Sequence, residues 1–360
     1  MLTKLPIFEV LGELVEKLVS DKRAVLSAPP GAGKSTAIPI SLTKNPAFSN
    51  GKIIVLEPRR LAVKQVASRM AQTLGEPLGK TVGYRIRGES KCNEQTKVEV
   101  VTEGILIRMI QEDQQLTGIS TVIFDEFHER SLNADLGLAF CLEIASVLRD
   151  DLKILVMSAT LEISAVSKLM QDAPIISCEG KSFHVTPRWQ AKPVAQDQIV
   201  GKLITDVILQ AFNENKGSLL VFLPGEAEII KLASTLKNKV PDNCHVFPLY
   251  GRLEFKDQQK AIKPILEGRK IVLATNVAET SLTIEGIDTV IDSGLSKRSI
   301  YDANSGMDRL VTQKISKAEA RQRMGRAGRL NPGVCYKLWS KTQDGSFPDF
   351  SPSQIENSDL

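Results

Sequence analysis

Short apolar runs alternate with amphipathic stretches along most of the chain. "RAVLSA" (23–28), "KIIVLEP" (52–58), "KVEVVTE" (97–103), "TVIFDE" (121–126) and "KILVMSAT" (153–160) are rich in Val, Ile and Leu. Runs of that length and kind read as strands buried in a parallel sheet. Between them, "RRLAVKQVASRMAQTLG" (59–75) and "LNADLGLAFCLEIASVL" (132–148) carry their apolar residues at helical spacing. Ile7, Val10, Leu11, Leu14 and Leu18 repeat that spacing near the N-terminus. The rhythm breaks at "SCEGKSFHVTPRWQAKP" (177–193), which is punctuated by Gly and Pro and has no helical period. A second set of strands follows in "GSLLVFLPG" (217–225), "NCHVFPLYG" (243–251), "RKIVLATN" (269–276), "TVIDSG" (289–294) and "GVCYKLW" (333–339). Strand and helix in alternation predict an α/β fold with βαβ units. The break divides it into a first domain over 1–180 and a second over 181–345, with a polar tail at 346–360.

Length supports two domains, since 360 residues exceed one typical core. A composition that is 42% apolar and 24% charged is that of an ordinary soluble globular protein. The formal net charge of +4 permits a polyanionic partner without requiring one. Cys92, Cys141, Cys178, Cys244 and Cys335 lie singly, with no Cys-x-x-Cys pair. That spacing supports neither a disulfide framework nor a zinc site, and buried thiols in a reducing cytoplasm are the reading it favours. Glu9, Glu13 and Glu16 interrupt the N-terminal apolar residues, which excludes a signal peptide. No apolar stretch approaches a membrane span. The expectation is a soluble, cytoplasmic, monomeric protein with no membrane partner.

The densest chemistry lies in "TVIFDEFHERSL" (121–132). A zinc reading fails, because Leu132 stands where a second histidine on the same helix face would be needed. Two carboxylates at a strand end suit a hard cation, and Mg²⁺ usually arrives with phosphates. A phosphate loop is indeed present: "SAPPGAGKST" (27–36) follows a predicted strand and opens a predicted helix. Small residues, Gly31 and Gly33 among them, let backbone N–H groups wrap around phosphates at a helix N-terminus. Lys34 can reach the β- and γ-phosphates, and the Ser35 hydroxyl can ligate Mg²⁺. Ala28 departs from the generic pattern, which begins with Gly. Asp125 then stands where a carboxylate holding Mg²⁺ through water belongs, and Glu126 where one would orient or deprotonate the attacking water. The carboxylates hold what the loop brings, a Mg²⁺-bound nucleotide.

The segments "GAGKST", "EPRRLAV", "VVTEG", "DEFHERS", "MSAT", "VFLPG", "LATNVAETSLTI" and "QRMGRAGR" stand in the order of the superfamily 2 helicase motifs. Over about residues 5 to 340 the chain resembles a DEAH/RHA-type helicase, and its "DEFH" variant resembles the bacterial HrpB-like branch. The resemblance implies two tandem RecA-like domains with an ATP cleft between them. It implies that Lys34, Ser35 and Thr36 bind phosphate and Mg²⁺, with Asp125 and Glu126 as metal-site carboxylates. His128 would couple the site to the second domain, and Ser158 and Thr160 would link hydrolysis to domain movement. Gln322 would help position the water, and Arg326 and Arg329 would act as arginine fingers on a charge-spread transition state.

On the base side the resemblance implies loose selectivity, with ATP and possible use of other nucleoside triphosphates. Arg69 would stack on one face of the base and an apolar residue near Ile262 on the other, although Arg69 reads equally as a surface helix residue. Arg59, Arg60, Thr102, Thr275 and Asn276 would lie along a single strand of RNA or DNA, with Arg85 and Arg87 of "YRIRGES" as a further loop contact or, equally, as charged decoration of an edge strand. The tail "SPSQIENSDL" resembles the start of a winged helix, the first of several domains that such relatives carry. The expected activity is an ATP-dependent helicase or translocase of 3′ to 5′ type, with a protein activator as a further partner. The alternative is a nucleotide-gated nucleic-acid-binding core with weak turnover that depends on further domains or on a partner.

Overall fold

The structure is a computed structural model that describes residues 5–29, 31–159, 163–180, 183–279, 284–302, 307–329, 331–351 and 354–355. The chain divides into two compact units, Met1–Lys181 with Ser353–Glu356 and Ser182–Pro352 with Asn357–Leu360.

Among the described residues the first unit holds an eight-stranded sheet. Its strands in chain order are β1 (Arg23–Ser27), β2 (Lys52–Glu57), β3 (Val82–Ile86), β4 (Glu89–Lys91), β5 (Val98–Thr102), β6 (Ile119–Phe124), β7 (Lys153–Ser158) and β8 (Ile175–Ser177). They lie in the order β4-β3-β5-β2-β6-β7-β1-β8, and every neighbouring pair is parallel except the β3–β4 hairpin. The near-continuous apolar runs are explained by two cores, one on each face. Ile53 and Val55 of β2 pack with Leu14, Ile38, Val63 and Met70 from helices Leu11–Ser20, Lys34–Leu42 and Arg60–Leu74. Ile54 and Leu56 point the other way, to Leu106, Leu138 and Val166 from helices Glu103–Glu112, Leu132–Val147 and Ile163–Leu169. Because successive strand residues face opposite sides, a strand in the middle must be apolar at every position.

The second unit holds β9 (Val185–Gln190), β10 (Ser218–Phe222), β11 (Cys244–Leu249), β12 (Arg269–Ala274), β13 (Ile287–Asp292), β14 (Leu295–Asp302), β15 (Met307–Lys314) and β16 (Gly333–Ser340). Six of these form an all-parallel sheet, β11-β12-β10-β13-β16-β9, and β14 and β15 form an antiparallel ribbon. Leu219, Val221, Ile271, Leu273 and Ile291 build its core with Ile208, Leu232 and Leu236 of helices Ile204–Glu214 and Glu226–Leu236. Each expected strand and helix has a counterpart within a few residues. The strands absent from the sequence reading are β3, β4, β8, β9, β14 and β15. β9 falls inside the segment read as a break: it carries Pro187, alternates in exposure and sits at the sheet edge, where proline is tolerated.

Both tryptophans of the chain lie beside each other in this unit. The Lys337 ammonium stands 5.0 Å from the Trp189 ring centre and 5.2 Å from that of Trp339. Asp344 accepts from Trp339 Nε1 at 2.8 Å and from Lys337 Nζ at 3.0 Å, and Trp339 stacks on Phe347 at 5.1 Å. No helix among the described residues is long and apolar enough to cross a membrane.

Candidate functional site

In the first unit the expected phosphate and Mg²⁺ residues meet at the carboxyl edge of the sheet, where open α/β sheets place ligands. β1 ends at Ser27, and the chain turns through a loop into helix Lys34–Leu42. Gly31 and Gly33 have φ of 88° and 94°, a conformation that side chains seldom adopt. A Cβ on Gly33 would meet Leu5 Cδ1 at 2.7 Å. Ala28 is absent from the residues with positive φ, so its place imposes no need for glycine. Its N–H is spent on the Ser158 carbonyl at 3.1 Å. The helix has no side-chain cap, which leaves first-turn N–H groups for an anion.

Lys34 is buried, with Nζ 3.3 Å from Glu126 Oε1 and 3.9 Å from Asp125 Oδ1. Burial works against its ammonium, but Glu126 and then Asp125 outweigh it, and the Lys34 pKa is raised. Burial dominates at Asp125, whose carboxyl pKa is raised although Lys34 opposes the shift. The Ser35 hydroxyl lies near enough to Asp125 to work against that rise, and Asp125 Oδ1 accepts from the Glu126 N–H at 2.8 Å. Its Oδ2 is buried and accepts no hydrogen bond among the described residues. An unsated carboxylate oxygen beside a serine hydroxyl suits water-mediated Mg²⁺ well. Burial lowers the His128 pKa to about 4, so the ring is neutral near pH 7. Nδ1 accepts from the Ala159 N–H at 3.4 Å, which puts the ring proton on Nε2, 3.3 Å from Glu126 Oε2. Ser158, buried, closes β7 opposite Ser27; Thr160 lies outside the described residues. Thr36 sits in the first turn of the helix, its hydroxyl turned to the Gly33 carbonyl at 3.5 Å.

The expected strand contacts of this unit follow β2, β5 and β3, one, two and three strands along the sheet from β6. Thr102 ends β5, and Arg85 lies on β3 itself rather than in a loop, with Nε 2.7 Å from buried Glu99. Arg87 follows in the β3–β4 turn, where its carbonyl accepts from Arg60 Nη2 at 3.0 Å. Arg85, Arg87 and Thr102 line a groove of about 930 Å³ with Ile105, Arg108 and Met109. Arg59 precedes helix Arg60–Leu74 and binds Glu129 at 2.9 Å; Arg69 is exposed on the same helix.

In the second unit, Thr275 and the exposed Asn276 follow β12. Helix Lys317–Gly325 begins with a capping box of Ser316 and Glu319. Gln322 and Arg329 are half-buried around it, while Arg326 is buried with Nε donating to the Glu279 carbonyl at 2.9 Å. Ile262 ends helix Phe255–Ile262 with 9% of its surface exposed. The Lys270 ammonium, whose pKa burial lowers to about 8, donates to the carbonyls of Ala261, Ile262 and Lys263 at 3.0–3.3 Å.

Residues 12–169 match the DEAD/DEAH box helicase family, and residues 200–331 match the helicase conserved C-terminal domain. The chain belongs to the DEAD/DEAH box helicases. It is 47% identical over 362 residues to the ATP-dependent RNA helicase HrpB of Escherichia coli (strain K12), an alignment covering 100% of this chain and 44% of that protein. It is 38% identical to the ATP-dependent RNA helicase HrpA homolog of Haemophilus influenzae, covering 96% of this chain and 26% of that one. The crystal structure of the Escherichia coli DEAH/RHA helicase HrpB superposes with a TM-score of 0.91 at 46% identity, over 99% of this chain and 45% of the other. The chain thus spans less than half the length of these relatives. With that likeness, each sheet is RecA-like.

Several residues of this helicase chain escaped the sequence reading. Glu57, fully buried at the end of β2, adds its charge to those attracting Lys34. An acid closing an otherwise apolar strand was the available signal. Arg323 is fully buried, with Nε 2.6 Å from Glu279 Oε1 and Nη1 2.8 Å from Asp292 Oδ1. Glu103 and Ser131 had no signal beyond their place within motifs, and Glu129 stood out only as one more ligand-capable side chain beside Asp125, Glu126 and His128.

Proposed function

We propose that this chain is an ATP-driven motor core acting on single-stranded nucleic acid, with RNA as its substrate. The observation that carries this reading is the convergence of Lys34, Ser35, Asp125 and Glu126 at one strand edge, in a chain whose helicase relatives bear names that specify ATP and RNA.

The loop N–H groups and Lys34 would bind the β- and γ-phosphates, and Ser35 and Asp125 would hold Mg²⁺. When bound, that ion neutralises phosphate charge and steadies the leaving oxygens. Glu126, held between Lys34 and His128, would accept the proton of the attacking water. Gln322 would orient that water, and Arg326 and Arg329 of the second unit would stabilise the transition state. Arg69 and Ile262 would flank the base. Arg59, Arg60, Arg85, Arg87, Thr102, Thr275 and Asn276 would follow the phosphates of the strand. Such contacts position a strand without reading its sequence. Ser158 and Thr160 would relay hydrolysis to movement of 3′ to 5′ polarity.

The test is steady-state ATP hydrolysis with and without single-stranded RNA and single-stranded DNA at two salt concentrations. RNA is expected to stimulate turnover, and the stimulation should fade as salt rises. Lys34→Ala and Glu126→Gln should each lower turnover on the order of 10²-fold, with Glu126→Gln still binding nucleotide. Turnover untouched by Glu126→Gln would show that the hydrolysis belongs elsewhere. ATP binding that no strand converts into faster turnover would favour a nucleotide-gated binding core.

A further inference from the structure

Residues 126–131 directly follow the metal-site carboxylate and form a turn that local preference opposes. Glu126 and Arg130 both take left-handed backbone, with φ of 50° and 48°. Non-glycine residues seldom do so, and the right-handed basin is the easier alternative for each. Between them lies a single tight turn, Phe127–Glu129. The surrounding structure must hold such a segment in place, and two contacts from neighbouring strands do.

Arg59, just after β2, donates through Nη2 to Glu129 Oε2 at 2.9 Å. Both side chains are 19% exposed, so solvent screens the pair only in part. One strand further along the sheet, Glu103 opens the helix that follows β5 and accepts from Ser131 Oγ at 2.5 Å. Ser131 in turn caps helix Leu132–Val147, accepting from the Ala134 N–H at 3.0 Å. Both outer anchors belong to the nucleic-acid face: Arg59 is a member of it, and Glu103 follows Thr102 in the chain. The other end of the turn is Glu126, whose carboxylate faces Lys34 and His128.

We propose that the Arg59–Glu129 and Glu103–Ser131 contacts form a strap that carries occupancy of the nucleic-acid face to the Glu126 carboxylate; the inference rests on the function proposed above. A backbone phosphate competes with Glu129 for the Arg59 guanidinium. A strand seated on Thr102 bears on the first turn of the Glu103 helix. Either displacement reaches a turn with an easier backbone state close by, and the aim of Glu126 changes with it. A coupling of this kind needs such a two-state element as well as a chain of contacts. Glu129 and Glu103 are therefore positioning residues.

The experiment compares the parent with Glu129→Gln, which keeps shape and removes charge, and with Glu103→Ala. ATP hydrolysis is measured with and without oligouridylate, strand affinity by fluorescence anisotropy, and amide exchange over 127–131 with and without the strand. The parent should show stimulation and a strand-dependent change in exchange. In each variant the ratio of stimulated to strand-free turnover should fall at least about fivefold and the exchange change should be lost, with strand affinity within about twofold for Glu103→Ala and not reduced for Glu129→Gln, which removes the competitor for Arg59. A variant that stays folded and keeps the parent's stimulation ratio overturns the strap. If the strand binds the parent and alters exchange at 127–131 without raising turnover, the motor reading falls while the strap stands. If bound strand leaves exchange in the parent unaltered, the strap falls.

Discussion

Arg323 shows how one side chain of a motif can be turned wholly into the core. In "QRMGRAGR" the Gly-Arg-x-Gly-Arg spacing draws attention to Arg326 and Arg329, and the sequence reading put the chemistry there. Arg323 is the fully buried one. Its guanidinium bonds Glu279 and Asp292, donates to the Leu295 carbonyl at 3.2 Å and stands 4.9 Å from the Phe222 ring centre. Burial alone would depress its pKa, but Asp292 and Glu279 raise it, so it stays charged. Removing one partner of a buried ion pair strands the others. Arg323→Met should therefore destabilise the second unit by about 3–5 kcal/mol, read from a urea transition followed by tryptophan emission. A loss below about 1 kcal/mol would mean that the two carboxylates find other partners or protonate cheaply. The candidate nucleotide residues could be proposed from sequence because their spacing is local: Lys34 and Ser35 are neighbours, as are Asp125 and Glu126. Arg323 was not, because its partners lie 31 and 44 residues away.

Strands and helices with a continuous apolar or amphipathic pattern could be read directly, and most strands that could not share physical traits; β3, interior and mostly buried, differs, its short run broken by Gly83 and Arg85. β4 is exposed at all three of its residues and β9 alternates around Pro187. Edge strands and free ribbons have water on one side, so they lack the dense Val and Ile signal of a strand sandwiched between helices. Sheet order was equally hidden, since nothing in an apolar run says which neighbour it pairs with. Strand starts offer a sharper test of local cause. Gly268 and Gly286 share a φ of 81° and immediately precede β12 and β13. A Cβ on Gly286 would come no closer than 3.9 Å to Ser218 Oγ, whereas on Gly268 it would lie 2.1 Å from the Asn243 carbonyl oxygen. Gly286→Ala should cost about 1–2 kcal/mol from backbone preference alone. Gly268→Ala should cost at least about 1 kcal/mol more, because backbone rather than a flexible side chain has to move. Equal thermal shifts in the two variants would show that the Asn243 loop yields freely.

For the whole molecule, the fold of each unit followed from the strand–helix rhythm, whereas the candidate strand face did not emerge as a unit from spacing. Arg60, Arg85, Arg87 and Thr102 come from four elements and meet only because β3, β5 and β2 are adjacent in the sheet. Nor did composition point to it: Arg85 is offset by Glu99, and Arg59 by Glu129. A net charge of +4 over 360 residues is too small to mark any face by itself. The pairing of Trp189 and Trp339 around Lys337 has a practical consequence at this scale. Every indole in the chain belongs to the second unit, so the protein carries a one-sided optical label without modification. Emission follows the unfolding of that unit alone, while far-ultraviolet circular dichroism follows the backbone of both. Superimposed denaturation curves from the two signals would identify a single cooperative block, and separated ones would give each RecA-like sheet its own midpoint.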